Sequence, residues 1–327
     1  MAVSLSSQLL NRSTPPFVIA EMSGNHNHSL ERALAIVDAA AASGAHALKI
    51  QTYTPDTMTI DLNEREFHIS DPKSLWAGRS LYDLYGEAYT PWDWHRPIFD
   101  RARERGMIAF STPFDDTAVD FLESLDVPCY KIASFENTDL PLIRRVAATG
   151  KPVIISTGMA SIAELDETVR AVRDAGGTEL VLLKCTSTYP TTPENSNLLT
   201  IPHLRELFGC EVGISDHTMG VGVSVASVAL GASVIEKHFT LSRSDGGVDS
   251  AFSLEPREMS ASTMKRLPFR FSCDDKNYTT TYQGMPQDGY TALVERRLHH
   301  PRIRVRLGCV FTPAMPYRCF CLGVVLF

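Results

Sequence analysis

A chain of 327 residues, 44% hydrophobic and 21% charged, has room for one large domain with an appendage or for two domains, and enough apolar residues to bury a core. Disordered and fibrous classes are excluded. Thirty-one Lys and Arg against 38 Asp and Glu give a net charge of −7, which argues against nucleic acid or a polybasic membrane contact as partner. No apolar run approaches the ~18 residues of a membrane span. The opening segment MAVSLSSQLLNRSTPP lacks the basic-then-apolar pattern of a secretory leader. Seven cysteines, with no CxxC spacing, fit reduced thiols and a cytoplasmic location.

The elements follow in chain order. Short continuous apolar runs occur at Phe17–Ala20, Ala47–Ile50, Met107–Phe110, Cys129–Ala133, Val153–Ser156, Leu180–Leu183, Val212–Ser215 and Ser233–Glu236. Continuous rather than alternating apolarity marks strands covered on both faces. Helical spacing lies between them, as in Leu34, Ile36, Val37 and Ala40, or Leu165, Val169 and Val172. Ser161 and Glu164 form a capping box ahead of the latter, and Gly44, Gly106 and Gly150 stand where helices should stop. Eight strand–helix units within residues 1–260 predict an α/β fold, a (β/α)8 TIM barrel. A doubly wound sheet is the runner-up, but it lacks its Gly-rich first turn here.

The connection from Ile50 to the helix near Pro91 is long and holds Trp76, Tyr82, Tyr85 and Tyr89. It follows a strand, so on a barrel it overhangs the active-site end. The strand ends themselves are polar. In order they carry Glu21 with Asn25, His26 and Asn27; Lys49 and Gln51; Ser111 and Thr112; Lys131 and Ser134; Ser156 and Thr157; Lys184, Thr186, Ser187 and Tyr189; Ser215, Asp216 and His217; Glu236, Lys237 and His238. A strand-end Ser or Thr taken alone is more often a helix cap, and a lone His more often a core residue. Convergence of all eight strands on such groups predicts an anion-accepting pocket. Lysines with hydroxyls suit phosphate and carboxylate. His217 and His238 could offer two imidazoles to one divalent cation. Glu21, Glu236 and Asp249 are candidate acids, bases or water-positioning groups. The set fits addition to a carbonyl or a metal-assisted aldolase step.

Eight segments, IAEMSGNHN (19–27), LKIQTY (48–53), FSTPFD (110–115), YKIAS (130–134), ISTGMAS (155–161), LLKCTSTYPT (182–191), GISDHT (213–218) and IEKHFT (235–240), together resemble the sialic acid synthases, phosphoenolpyruvate-dependent synthases of nonulosonic acids. The segments WAGRSLYDLY (76–85), TPWDWH (90–95) and DSAFSLEP (249–256) resemble the pseudaminic acid synthase branch. The resemblance implies condensation of phosphoenolpyruvate with an acetamido-deoxy hexose, 2,4-diacetamido-2,4,6-trideoxy-altrose, to give pseudaminic acid and phosphate; a neuraminate or legionaminate product is the alternative. It further implies that Lys131, Ser134, Ser156 and Ser215 hold the phosphate and that Lys49 and Thr112 hold the carboxylate. Ser187 stands where neuraminate synthases usually have Asn, and Tyr189 follows it as in the family. His217 and His238 would bind a divalent metal, Mn²⁺ first, with Mg²⁺ or Co²⁺ as alternatives. Glu21 and Glu236 would handle protons, and Asp249 would face the sugar.

Residues 261–327 break the pattern. They carry a charge of +6 against −13 for the remainder, and four of the seven cysteines, Cys273, Cys309, Cys319 and Cys321. The resemblance leads one to expect a small antifreeze-like (SAF) domain here, with an arginine that reaches the partner's site in a homodimer. No such pattern is legible, so the expectation is a barrel over 1–260 followed by an atypical tail, either frameshifted or disordered. A further expectation is a barrel that binds its ligands but turns over slowly for want of that cover.

Overall fold

The computed structural model describes residues 15–262 and, within the tail, four strands at 272–274, 277–279, 292–299 and 302–309. Contacts divide the chain near residue 263. In the first unit eight parallel strands close on themselves: β1 (Phe17–Glu21), β2 (Ala47–Thr52), β3 (Ile108–Pro113), β4 (Tyr130–Ile132), β5 (Val153–Ser156), β6 (Leu180–Cys185), β7 (Glu211–Ser215) and β8 (Val234–His238), with β8 pairing back onto β1. The barrel expected from the alternating runs is present, and no helix among the described residues is long and apolar enough to cross a membrane.

The helices are α1 (Leu30–Ala42), α2 (Pro55–Met58), α3 (Leu81–Ala88), α4 (His95–Glu104), α5 (Asp116–Ser124), α6 (Leu140–Ala147), α7 (Ile162–Asp174), α8 (Thr200–Phe208), α9 (Gly222–Ala229) and α10 (Pro256–Ser262). Local chemistry sets their ends. Ser29 accepts a hydrogen bond from the Arg32 amide at the start of α1. At α7 the Ser161 amide donates to Glu164 Oε2 at 2.7 Å, and the Glu164 amide donates to Ser161 Oγ at 3.3 Å, which is the reciprocal capping box. Ile36, Val37 and Ala40 of α1 and Leu165, Val169 and Val172 of α7 are buried against the barrel, as their spacing requires.

Several strands extend past the apolar runs that announce them. β2 continues to Thr52 and β3 to Pro113, because Gln51 pairs with Thr112 and Thr52 with Pro113 in an unbroken ladder. Apolarity stops where the barrel interior becomes polar, two residues before the backbone pairing does in β2 and three in β3. The connection between β2 and α4 is not structureless. It holds α2, α3 and an antiparallel bridge from His68 to Ser80.

Two apolar layers result. Side chains pointing outward, such as Val18, Leu48, Ile132, Ile155 and Leu182, pack under the helices. Those pointing inward, Phe17, Ile19, Ala47, Phe110, Cys129, Ile154, Val181, Leu183 and Val234, plug the barrel. In the tail, Ser272–Asp274 pairs with Asn277–Thr279 and Ala292–His299 pairs with Arg302–Cys309, both antiparallel. The apolar run at 319–327 lies outside the described residues.

Candidate active site

The inward plug fixes what comes next on each strand. Side chains alternate with period two, so the layer above Ile19, Ala47, Phe110, Cys129, Ile154, Leu183, Gly213 and Val234 consists of Glu21, Lys49, Thr112, Lys131, Ser156, Cys185, Ser215 and Glu236. All eight of these are buried. The same rule places three strand-end candidates elsewhere. Lys237 and Asp216 point away from the pocket and pair with each other at 3.1 Å. Lys184 points out beside α7 and α8. Asn25 and His26 also serve the loops: Asn25 donates to the Phe239 carbonyl at 2.9 Å, and His26 meets Thr90 at 3.3 Å.

Within the layer the charges are ordered. Lys49 Nζ lies 2.5 Å from Glu21 Oε2 and 3.7 Å from Glu236 Oε2, and donates to Thr112 Oγ1 at 3.2 Å. Lys131 donates to Ser156 Oγ and to the Ile132 carbonyl, each at 2.7 Å. Ser215 donates to Glu236 Oε1 at 2.8 Å. Burial pushes Glu21 up to about 7 against the pull of Lys49, with Glu236 adding repulsion. Glu236 also suffers burial, but Lys131, Lys49 and the Ser215 hydrogen bond outweigh it and hold this carboxyl below its usual range. Lys49 loses cationic character to burial and regains more from Glu21 and Glu236, so its pKa rises. Lys131 is lowered by burial. One carboxyl of the pair is therefore poised to carry a proton and the other to stay ionised.

Beyond this layer, at the ends of β7 and β8, the rings of His217 and His238 have centroids 5.3 Å apart. His217 Nδ1 is within 3.0 Å of the Thr186 carbonyl, which leaves Nε2 with a free lone pair. Burial, with His217 and Lys49 nearby, keeps His238 well below the usual imidazole range and hence neutral. Its Nδ1 has no hydrogen-bond partner among the described residues and stands 3.8 Å from Asp249 Oδ2. Burial opposes protonation of His217 as well, but Cys185 and the Thr186 carbonyl outweigh it and raise this imidazole; once deprotonated, the two buried rings fit a divalent cation. No group of three or more His, Cys, Asp or Glu able to hold an ion occurs among the described residues. Any ion held by this pair would therefore draw further ligands from water or substrate.

Aromatic side chains roof the histidines. The Tyr189 ring is 4.4 Å from His217, 5.3 Å from Phe252 and 6.1 Å from Trp76 between centroids. Trp76 belongs to the long β2–α4 connection and donates its indole N–H to the Val248 carbonyl at 2.9 Å. That connection therefore does overhang the pocket. Asp249 is buried beside it and hydrogen-bonded by Ser23 Oγ.

Ser134 and Ser187 lie on either side of Gly158. A Cβ at residue 158 would stand 2.7 Å from Ser134 Oγ, and Ser187 Oγ would crowd it still more. The Gly158 amide donates to Ser134 Oγ at 3.1 Å, and Asn137 holds the turn through the Ser156 and Gly158 carbonyls at 3.2 and 3.0 Å. Sequence reasoning missed three members of this neighbourhood. Cys185 occupies the inward position on β6 and approaches His217 Nδ1 at 3.9 Å; strand alternation would have found it. Asn137 and Glu136 sit in the turn after β4, where no periodicity applies. Burial raises Glu136 to about 7, with Lys131 opposing, and its Oε2 has no hydrogen-bond partner among the described residues.

Comparison with known proteins places the chain in a family. The model of the NeuB family matches residues 36–266, and the model of UDP-galactopyranose mutase matches residues 248–319. The pseudaminic acid synthase of Campylobacter jejuni subsp. jejuni serotype O:2 is 48% identical over 245 residues, covering 75% of this chain and 71% of the relative. That of Helicobacter pylori is 45% identical over 241 residues, covering 74% and 70%. The N,N'-diacetyllegionaminic acid synthase of C. jejuni is 35% identical over 74% of this chain and 72% of its own. The crystal structure of N-acetylneuraminic acid synthetase from Leptospira borgpetersenii superimposes with a TM-score of 0.69 at 30% identity, covering 77% of this chain and 82% of that one. The chain belongs to the NeuB family, that of the sialic acid synthases.

Proposed function

We propose that this chain is a pseudaminic acid synthase, a carbon–carbon bond-forming enzyme that condenses phosphoenolpyruvate with 2,4-diacetamido-2,4,6-trideoxy-altrose and releases phosphate. The observation that carries the reading is the buried layer in which two ammonium groups, three hydroxyls and two oppositely poised carboxyls meet below a pair of histidines. The identity of the sugar rests on the 48% and 45% shared with pseudaminic acid synthases against 35% with a legionaminic acid synthase.

Lys131, with Ser156 already on its ammonium, and the hydroxyls of Ser134 and Ser215 seat the phosphate. Ser187, across Gly158 from Ser134, closes that side. Lys49 and Thr112 take the carboxylate. Lys49 is engaged by Glu21. Protonation of Glu21 near neutral pH releases that ammonium for the substrate. His217 and His238 hold a divalent metal, Mn²⁺ in this reading; synthases of the family are generally metal-dependent. When bound, the metal supplies Lewis-acid polarisation of the sugar aldehyde.

The protein's own groups do the rest. The alkene carbon bonds to the aldehyde carbon, and Glu21 delivers its proton to the aldehyde oxygen, which becomes a hydroxyl. Water adds to the adjacent cationic carbon, and ionised Glu236 accepts the proton. The bond from that carbon to the phosphate ester oxygen then breaks, the new hydroxyl becomes the ketone as its proton passes to the departing phosphate, and Lys131 holds the phosphate released. Tyr189, Phe252 and Trp76 exclude water and pack against the apolar parts of the sugar, while Asp249 accepts from its hydroxyls or amides.

Phosphate release by the purified chain with added Mn²⁺ tests this, each candidate hexose being supplied in turn. The trideoxy altrose should give the highest kcat/KM. Preference for N-acetylmannosamine or the legionaminate precursor would overturn the sugar assignment. No release with any of the three would overturn the reaction.

A further inference from the structure

Two lysines point outward from polar strand ends, Lys184 on β6 and Lys237 on β8, and the fold treats them differently. Lys237 is buried and fully provided for: Asp216 Oδ2 at 3.1 Å, the Thr218 carbonyl at 2.6 Å and the Gly220 carbonyl at 2.9 Å use its three N–H groups. Lys184 is 7% exposed. Among the described residues its ammonium has the Thr186 hydroxyl as hydrogen-bond acceptor, and no carboxylate within ion-pair distance. Two donors are left for something else. A buried ammonium without a counter-ion is unfavourable, and burial accordingly lowers its pKa.

Lys184 lines a cleft of about 500 Å³ that runs from α7 and α8 to the ends of β5 and β6, where Thr157, Cys185 and Ser187 border it. In a chain of net charge −7, no Asp or Glu lines this cleft among the described residues. Thr157, Asn195, Asn197 and Thr200 supply hydroxyl and amide groups, and Leu165 and Leu204 supply an apolar wall. A lone cation, neutral donors and one greasy side are the features an amphipathic anion requires.

We propose that this cleft is a second anion site, taking a small organic anion whose carboxylate or phosphate group seats on Lys184 and whose apolar part lies on Leu165 and Leu204. The cleft shares Cys185 and Ser187 with the reaction pocket, but its cation is Lys184 and not Lys131, and the inference does not depend on the reaction proposed above.

Methyl NMR of the intact chain tests it, with inorganic phosphate and butyrate as probes and the Ile162, Leu165 and Leu204 methyls as local reporters. Either probe should shift these methyls saturably, and the responding probe identifies the head group. Lys184→Met should raise that dissociation constant about tenfold, the loss of one charge-assisted hydrogen bond. Thr200→Phe, which narrows the rim but keeps the lysine, should weaken binding as well, so that misfolding of one variant does not decide the matter. Lys131→Ala should leave the shifts intact, and Lys184→Met should turn over within about twofold of the wild type. The proposal is overturned if neither probe shifts the methyls, if Lys184→Met binds as the wild type does, or if Lys184→Met abolishes turnover. It is also overturned if Lys131→Ala removes the response, since the anion then sits in the reaction's own seat. Loss of phosphate release with an intact methyl response would sink the proposed reaction and leave this site standing.

Discussion

Lys49 Nζ stands 2.5 Å from Glu21 Oε2 and 3.7 Å from Glu236 Oε2, so one ammonium on β2 is shared between carboxyls from β1 and β8. The two carboxyls differ in their remaining neighbours. Glu236 also has Lys131 and the Ser215 hydroxyl on its side, whereas Glu21 has burial against it. That asymmetry separates an acid from a base within one layer.

Its consequence for stability has a definite sign. Folding raises Glu21 from 4.5 to about 7, so its stabilising contribution is full below pH 4.5 and is lost as the pH climbs to 7. Relative to Glu21→Gln, the ligand-free wild type should lose on the order of 1–3 kcal/mol over that window. Denaturant unfolding at a series of pH values measures the difference. A flat difference from pH 4.5 to 8 would show that Glu21 is ionised throughout. The same variant should lose about 10²- to 10⁴-fold in kcat, the usual worth of a positioned proton donor.

Lys131→Ala should weaken phosphoenolpyruvate binding by ~1.5–3 kcal/mol, the loss of a charge-assisted hydrogen bond, with a smaller effect on the sugar. Calorimetry reads both affinities. An unchanged phosphoenolpyruvate affinity removes Lys131 from the phosphate seat.

Replacing His217 or His238 with Ala should abolish both metal retention and turnover. The barrel should stay folded, because the inward plug and the layer under the helices are formed by other residues. Metal content after dialysis, circular dichroism and phosphate release check the three parts. Chelation of the wild type should reproduce the loss of turnover, and full activity of His217→Ala without bound metal would refute the ligand assignment.

Gly158→Ala adds one methyl between Ser134 and Ser187. Since the new Cβ would fall 2.7 Å from Ser134 Oγ and closer still to Ser187 Oγ, both hydroxyls must move. Phosphoenolpyruvate KM should rise about tenfold or more, at an overpacking cost of ~1–3 kcal/mol. Unaltered KM and unaltered stability would mean that the turn after β5 yields freely.

Much of this protein was legible in one dimension. Continuous apolar runs mark strands buried on both faces, and Ser161 with Glu164, or Gly44 with its φ of 88°, mark helix ends through interactions between near neighbours in the chain. Strand ends drew attention to Glu21, Lys49, Lys131, His217 and Glu236 because a barrel concentrates chemistry there. What the sequence did not fix is which strand-end side chain faces in. Lys131, Lys184 and Lys237 read alike along the chain, yet only the first joins the pocket, because direction depends on where each strand enters the ladder, and that entry is set by pairing with its neighbours. Cys185, next to Lys184 on β6, takes the inward position by alternation once that direction is set. Glu136, Asn137 and Ser23 lie in turns with no period to read, and their placement depends on close approach between segments far apart in sequence, such as Ser23 with Asp249. Sequence determined the elements and the chemical types available. The raised carboxyl of Glu21, the ionised one of Glu236 and the Lys184 ammonium, which has no ion-pair partner among the described residues, follow from burial and proximity, which exist only once the barrel has closed.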